Sequence, residues 1–156
     1  RQYLSGKITE NSYYATLSKK AKIPREKLRK LAINKYKEII KPRKNVLLLA
    51  KLLKEKGYKI SIISNISPDH KRIKKSLGLF KDFSPVILSC DIGYQKPQKK
   101  IFQIALKRAK AKAEECIFID DRESHLIWPK KLGMKTIHFK NAARLIRDLR
   151  KMGVKI

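Results

Sequence analysis

Two adjacent carboxylates, Asp120 and Asp121, close the apolar run Cys116-Ile117-Phe118-Ile119. Paired oxygens of this kind suit a hard cation such as Mg2+, which takes carboxylate ligands and keeps several waters. The same acids could also cap the following helix, a favoured place for Asp, or lie unremarkably at the surface. Ser64-Asn65 closes a second apolar run, "KISIIS", just ahead of a helix with Ser67 at its N-cap, and helix N-termini favour anions. Lys96 follows a third run, in "SCDIGYQKP", and adds a point positive charge. Singly these residues say little: Ser-Asn is a common turn pair, and one lysine in a lysine-rich chain is unremarkable. Together they place a hydroxyl, an amide, an ammonium and two carboxylates at the ends of apolar runs. That set reads as a phosphate site (Ser64, Asn65, Lys96) beside a Mg2+ site (Asp120, Asp121).

Periodicity supplies the elements that must hold these groups. Helical spacing predicts helices over 10–20, with Thr9 or Asn11 as cap, and over 24–40, with Pro24 in the first turn. Pro42 marks a break. Beyond it, strands are expected at 59–64, 86–89, 116–120 and 135–139, and helices at 45–56, 68–77, 98–112, 124–132 and 141–151. Strands that alternate with helices of about ten residues imply βαβ units and a parallel sheet covered on both faces. Ligands of such sheets bind at the carboxyl ends of the strands. The expected fold is therefore α/β, a three-layer α/β/α Rossmann-like arrangement. Pro129 should delay or kink the helix near 124–132 and hold Trp128 away from helical angles.

The totals agree with one globular domain: 156 residues, 42% hydrophobic and 34% charged. The longest apolar run, Val46 to Ala50, is too short to span a bilayer, so no membrane role is expected. Without a hydrophobic leader, and with Cys90 and Cys116 in strand-like contexts, a cytoplasmic protein with reduced core thiols is expected. Forty basic residues against 13 acidic give a net charge of +27. Such a field attracts polyanions. The lysines, however, are spread over nearly every helix, with no basic tail and no interleaved aromatics. A solvated lysine-rich surface is the favoured reading, and a nucleic-acid partner is not favoured.

With these stretches in hand, the chain resembles the haloacid dehalogenase (HAD) superfamily, in the subfamily IA-like group with a small helical cap after the first strand. "ISIISN" resembles the second family motif, with Ser64 at its polar position. "SCDIGYQKPQKKIFQIAL" resembles the third, with Lys96 followed by Pro97. "CIFIDDRES...LGMKTIHF" resembles the fourth, with Asp120 and Asp121 as the Mg2+ acids. "SGKITENSYYATL" resembles the end of the cap. The resemblance implies residues 1–41 as the C-terminal part of a cap and 42–156 as an HAD-like core. It also implies phosphoryl transfer from a small phosphorylated substrate through an aspartyl phosphate. In that chemistry Ser64 would hold a phosphoryl oxygen and Lys96 would neutralise charge. Asp120 would bind Mg2+ directly, with Asp121 assisting.

The departures matter as much. The first family motif, an apolar strand ending in Asp-x-Asp, is absent, and the sequence starts at Arg1 inside the expected cap. The nucleophile and the general acid would then lie outside this chain, as would the strand between 59–64 and 116–119. The expectation is a fragment, or a partner-dependent protein, that is inactive and poorly stable alone because two half-sheets face a gap. His125 stands where the family usually has Asn, and a surface position is expected for it. His70 and His138 are expected to be structural or exposed. A Mg2+-dependent phosphatase is the favoured function. The alternatives are a non-catalytic, degenerate HAD-like domain with a basic surface, and a sugar-phosphate mutase that shares the same motifs. The paired acids argue against metal-free dehalogenation.

Overall fold

The computed structural model describes residues 2–156; Arg1, at the start of the expected cap segment, lies outside the described residues. A helical hairpin comes first, α1 (Glu10–Ala21) and α2 (Arg25–Ile39). There follow α3 (Lys44–Glu55), β1 (Ile62–Ser64), α4 (Pro68–Ser76), β2 (Val86–Leu88), α5 (Ser89–Ile92) and α6 (Lys99–Ala109). The chain ends with β3 (Ile117–Asp120), α7 (Ile127–Lys131), β4 (Lys135–His138) and α8 (Ala142–Lys151). Among the described residues no helix is long and apolar enough to cross a membrane.

The strands form two separate parallel pairs. β1 lies beside β2 with Ile63 opposite Ile87, and β3 beside β4 with Ile119 opposite Ile137. No hydrogen-bonded strand joins the pairs among the described residues. What joins them is the helical packing. Side chains alternate along a strand, so Ile117 and Phe118 of β3 enter opposite layers. Ile117 and Ile137 meet Leu49 and Leu53 of α3 and Leu145 and Leu149 of α8. Phe118 meets Ile101, Phe102 and Ala105 of α6, which also cover Ile63 and Ile87 of the other pair. The result is the three-layer α/β/α arrangement, with α6 as the element that bridges the break. Ile119, at the end of β3, is 37% exposed, and Leu48 and Leu52 of α3 are exposed at 60% and 41%.

Several elements end earlier than periodicity suggests. β1 begins at Ile62 rather than at 59: the register places Ser61 opposite Pro85, which has no N–H to donate to a ladder. β2 stops at Leu88, and Ser89 turns into the single-turn α5, closed by Gly93 at φ +77°. The segment after β3 is a 3-10 turn at Glu123–His125 followed by the five-residue α7. Pro129 does delay this helix, but it falls in the helix's first turn, where the missing N–H costs little. Trp128 is therefore helical, contrary to expectation.

The hairpin is attached largely through polar contacts. No residue of α2 is buried. The Tyr14 hydroxyl donates to Asp69 Oδ2 at 2.7 Å, and Glu10 pairs with Arg29 of α2 and Arg72 of α4. Tyr36 stacks on His70 with ring centroids 3.5 Å apart. The turns before α1 press on the core: a Cβ at Gly6 (φ +65°) would sit 2.4 Å from the Cys90 carbonyl oxygen, so only glycine fits.

Phe102 is fully buried and packs edge-on against Phe118, 5.2 Å between centroids, so it ties both strand pairs to one helix. Phe102→Ala is expected to cost about 3–5 kcal/mol. A shift in the midpoint of urea unfolding checks this, and a change below about 1 kcal/mol would show that α6 does not hold the halves together.

Candidate functional site

The carboxyl ends of β1 and β3 are drawn together by one chain of contacts. Asn65, just past β1, clamps the backbone of Lys96: its Nδ2 donates to the Lys96 carbonyl at 2.8 Å, and its Oδ1 accepts the Lys96 N–H at 2.7 Å. The backbone being fixed, the Lys96 side chain passes over the Phe118 ring, 5.7 Å from its centroid, and its Nζ donates to Asp120 Oδ2 at 2.5 Å. Four of the five residues singled out in the sequence thus lie along one edge: Ser64, Asn65, Lys96 and Asp120. The Ser64 hydroxyl has no hydrogen-bond partner among the described residues and is free to receive an anion's oxygen. Asp121 follows Asp120 but is exposed, with its carboxylate unpaired among the described residues.

Asp120 is 7% exposed. Burial pushes its carboxyl up, but the Lys96 ammonium, the Arg122 N–H and His125 outweigh that and hold it below the usual carboxylate range. An ionised carboxylate only accepts, so His125 Nδ1, 2.9 Å from Asp120 Oδ1, is the donor and carries the proton. His125 is 7% exposed, which corrects the surface position expected for it. The 3-10 turn after Asp121 curls the chain back, so a residue five positions on reaches the carboxylate. The hint in the sequence was a histidine at a position resembling a family asparagine; its burial could not be read there.

A second residue was missed altogether. Asp69 looked like part of a helix start, yet it is 2% exposed. It accepts from the Ser67 and Tyr14 hydroxyls and from the His70 N–H. Burial raises its carboxyl, these donors lower it, and the balance lies below the usual range. Ser67 therefore spends its hydroxyl on Asp69 and makes no side-chain cap of α4. Its partner Tyr14 is 55 residues away, so no local pattern could signal the pairing. His138 Nε2 lies 3.1 Å from the Asp121 carbonyl and 3.3 Å from Lys140 Nζ, at the exposed end of β4.

The donor set fits Mg2+ better than a metal that needs a closed protein cage. Among the described residues no three or more His, Cys, Asp or Glu side chains converge. Two oxygen-bearing acids, Asp120 and Asp121, match the needs of a hard cation that keeps several waters. A hollow of about 480 Å3 lies elsewhere, at the end of α6, lined by Leu106, Lys107, Lys110, Ala111, Lys112 and Glu115. It contains none of these groups.

A family model described as haloacid dehalogenase-like hydrolase matches residues 2–133. The chain is 41% identical over 91 residues to a glyceraldehyde 3-phosphate phosphatase of Pyrococcus abyssi, covering 56% of this chain and 38% of that one. It is 35% identical over 105 residues to bifunctional epoxide hydrolase 2 of Mus musculus, covering 64% of this chain and only 19% of the mouse protein. The matched region thus spans well under half of either relative. Two solved structures share the fold. One is a HAD family enzyme from Bacteroides thetaiotaomicron in complex with magnesium and inorganic phosphate (TM-score 0.78, 21% identity, 94% of this chain and 76% of that one). The other is a predicted HAD-like hydrolase from Porphyromonas gingivalis (TM-score 0.79, 22% identity, 99% and 78%).

Asp69 and Asp120 both have folded-state pKa values below their unfolded ones. Their stabilisation is therefore fully present above the unfolded value, about 3.9, and is lost as pH falls through the folded values. Stability should stay flat with respect to these groups at neutral pH and fall steeply below about pH 4. Asp69→Asn is expected to cost about 1–3 kcal/mol at pH 7 and to flatten the acid limb. Thermal melts of both proteins from pH 3 to 7 check this.

Proposed function

The chain belongs to the haloacid dehalogenase-like hydrolases, and on that premise we propose that it is the phosphate- and metal-binding part of a Mg2+-dependent phosphatase acting on a small phosphorylated metabolite. The observation that carries this reading is the convergence of Ser64, Asn65, Lys96 and Asp120 at one sheet edge, joined by the Asn65 clamp and the Lys96–Asp120 contact. A phosphatase at 41% identity and a structural neighbour in complex with magnesium and inorganic phosphate support it.

In this reading the Ser64 hydroxyl receives a phosphoryl oxygen, and the Lys96 ammonium neutralises charge as the phosphoryl group transfers. Asp120 and Asp121 would hold Mg2+, which, when bound, offsets charge on the phosphate oxygens. His125 and the Arg122 N–H keep Asp120 ionised and aimed. Residues 1–41 serve as the C-terminal part of a cap. No Asp-x-Asp occurs anywhere in the 156 residues. The nucleophilic aspartate of an aspartyl-phosphate mechanism is then supplied by a segment other than these residues, seated as a strand between β1 and β3. The break between the strand pairs and the exposure of Ile119 support that placement. A sugar-phosphate mutase uses the same groups. A non-catalytic, degenerate HAD-like role with a basic surface is favoured by the missing first motif and the charge of +27, and disfavoured by the presence of Ser64, Lys96, Asp120 and Asp121 together.

The test is a phosphate-release assay over a panel of small phosphorylated metabolites, glyceraldehyde 3-phosphate among them, with and without Mg2+. These 156 residues alone are expected to show no turnover. Fused to an apolar strand ending in Asp-x-Asp, they should turn over at least one member, with a loss of 100-fold or more in Lys96→Met and Asp120→Asn. Turnover that survives both substitutions would overturn the assignment of the site, and turnover by the 156 residues alone would overturn the external nucleophile.

A further inference from the structure

Away from the sheet edge, the face shared by α6 and α7 carries positive charge that the fold does not use. α6 contains no acid and opens with Lys99 and Lys100, although the helix dipole disfavours cations at that end. Lys110, just past its other end, holds the left-handed backbone (φ +51°) that ordinarily falls to glycine. Along the chain no aromatic alternates with these lysines, yet the fold supplies one. Lys99 of α6 and Lys131 of α7 both lie over the ring of Trp128, 5.4 and 5.2 Å from its centroid. Trp128 is half-buried and is the chain's sole tryptophan. The far end of the same face is the hollow of about 480 Å3, whose lysines are Lys107, Lys110 and Lys112. The two ends join: α7 packs beside α6, and a Cβ at Gly133, just after α7, would sit 3.7 Å from that of Ala113, the neighbour of Lys112. None of these five lysines forms an ion pair among the described residues.

We propose that this strip docks single-stranded nucleic acid, with its lysines on successive phosphates and Trp128 as the platform on which a base stacks. Five unpaired ammoniums side by side repel one another, and a polyanion relieves that repulsion. Lys99 and Lys107 stand about 12 Å apart along the helix at 1.5 Å per residue, and Lys110 and Lys112 carry the line further. A row of that shape suits a charged polymer rather than a lone anion. The two ammoniums over Trp128 are held there by the ring face, a weak attraction at an exposed site. Phosphates draw them off, and the freed ring meets a base, which stacks on it more strongly. A duplex hides its bases, and an acidic protein segment would satisfy the lysines while leaving Trp128 without a stacking partner. The strip contains none of Ser64, Asn65 and Asp120, so the inference goes beyond the phosphatase reading and does not depend on it.

The helical hairpin supplies the control. A net charge of +27 draws polyanions to the whole protein, and a charge-matched comparison separates the strip from that general field. Lys20, Lys27 and Lys30 are exposed and unpaired among the described residues, as the lysines of the strip are, but none of them lies over an aromatic ring.

The experiment titrates the purified protein with a single strand of about a dozen nucleotides over a series of salt concentrations. Anisotropy of a labelled strand reads binding, and Trp128 emission with the unlabelled strand reads stacking. Binding is expected to quench Trp128, and log affinity should fall against log salt with a slope of about −3.5 for five phosphate contacts. The triple variant Lys107→Gln, Lys110→Gln, Lys112→Gln should weaken binding at least about tenfold and flatten that slope by about 2. The charge-matched variant Lys20→Gln, Lys27→Gln, Lys30→Gln should change affinity less than about twofold. Equal weakening in the two variants, tighter binding of a duplex, or no binding at all overturns the inference. Polyglutamate that binds as tightly as the strand assigns the strip to an acidic protein and overturns it as well. Should the strip variant not fold, the emission of the parent decides: quenching by the strand but not by polyglutamate supports the inference, and emission unchanged at saturation overturns it.

Discussion

The contact between Lys96 and Asp120 is the interaction on which the rest of the molecule turns. It is the place where the two strand pairs meet through polar chemistry rather than through a shared helix. A lysine and an aspartate this deeply buried are costly singly and tolerable only together. The cost is met by a dense local network: Asn65 fixes the lysine's backbone, and His125 and the Arg122 N–H occupy the aspartate's other oxygen. The network makes the sheet edge electrostatically rigid where the sheet itself is discontinuous.

That discontinuity shapes the energetics. A four-stranded sheet would share one ladder of backbone hydrogen bonds. Here two ladders of three and four residues stand apart, and β1 and β3 each keep an edge without a strand partner among the described residues. Edges of this kind expose N–H and C=O groups that readily accept another strand. The exposed Ile119, and Leu48 and Leu52 on the covering helix, leave apolar surface in the same layer. Cohesion falls to α6 and to the two apolar clusters on either face, whose alternating residues, Ile117 on one side and Phe118 on the other, keep the layers in register.

The helical hairpin is held by a different kind of force. With no buried residue in α2, its attachment depends on Tyr14 and Asp69, on Glu10 between Arg29 and Arg72, and on the stack of Tyr36 over His70. Three of these contacts land on α4, the helix that starts just after Ser64 and Asn65. Any displacement of the hairpin is thus felt directly behind the carboxyl end of β1.

Local chemistry determined much of this protein. Alternating apolar runs and amphipathic stretches specified the parallel α/β architecture, and the polar residues that close those runs marked the edge where Ser64, Asn65, Lys96 and Asp120 come together. These features are legible because they depend on periodicity and on what can end a strand. Folding in three dimensions decided the rest. The burial of His125 comes from a 3-10 turn that Pro129 follows, and the burial of Asp69 from a tyrosine on a distant helix. The closing of Lys96 onto Asp120 joins residues 24 apart through a loop whose path no pattern encodes. The first is a local pairing made by a turn and the other two are long-range, and none carries a periodic signature: they exist because a buried charge must find its partner wherever the fold brings one.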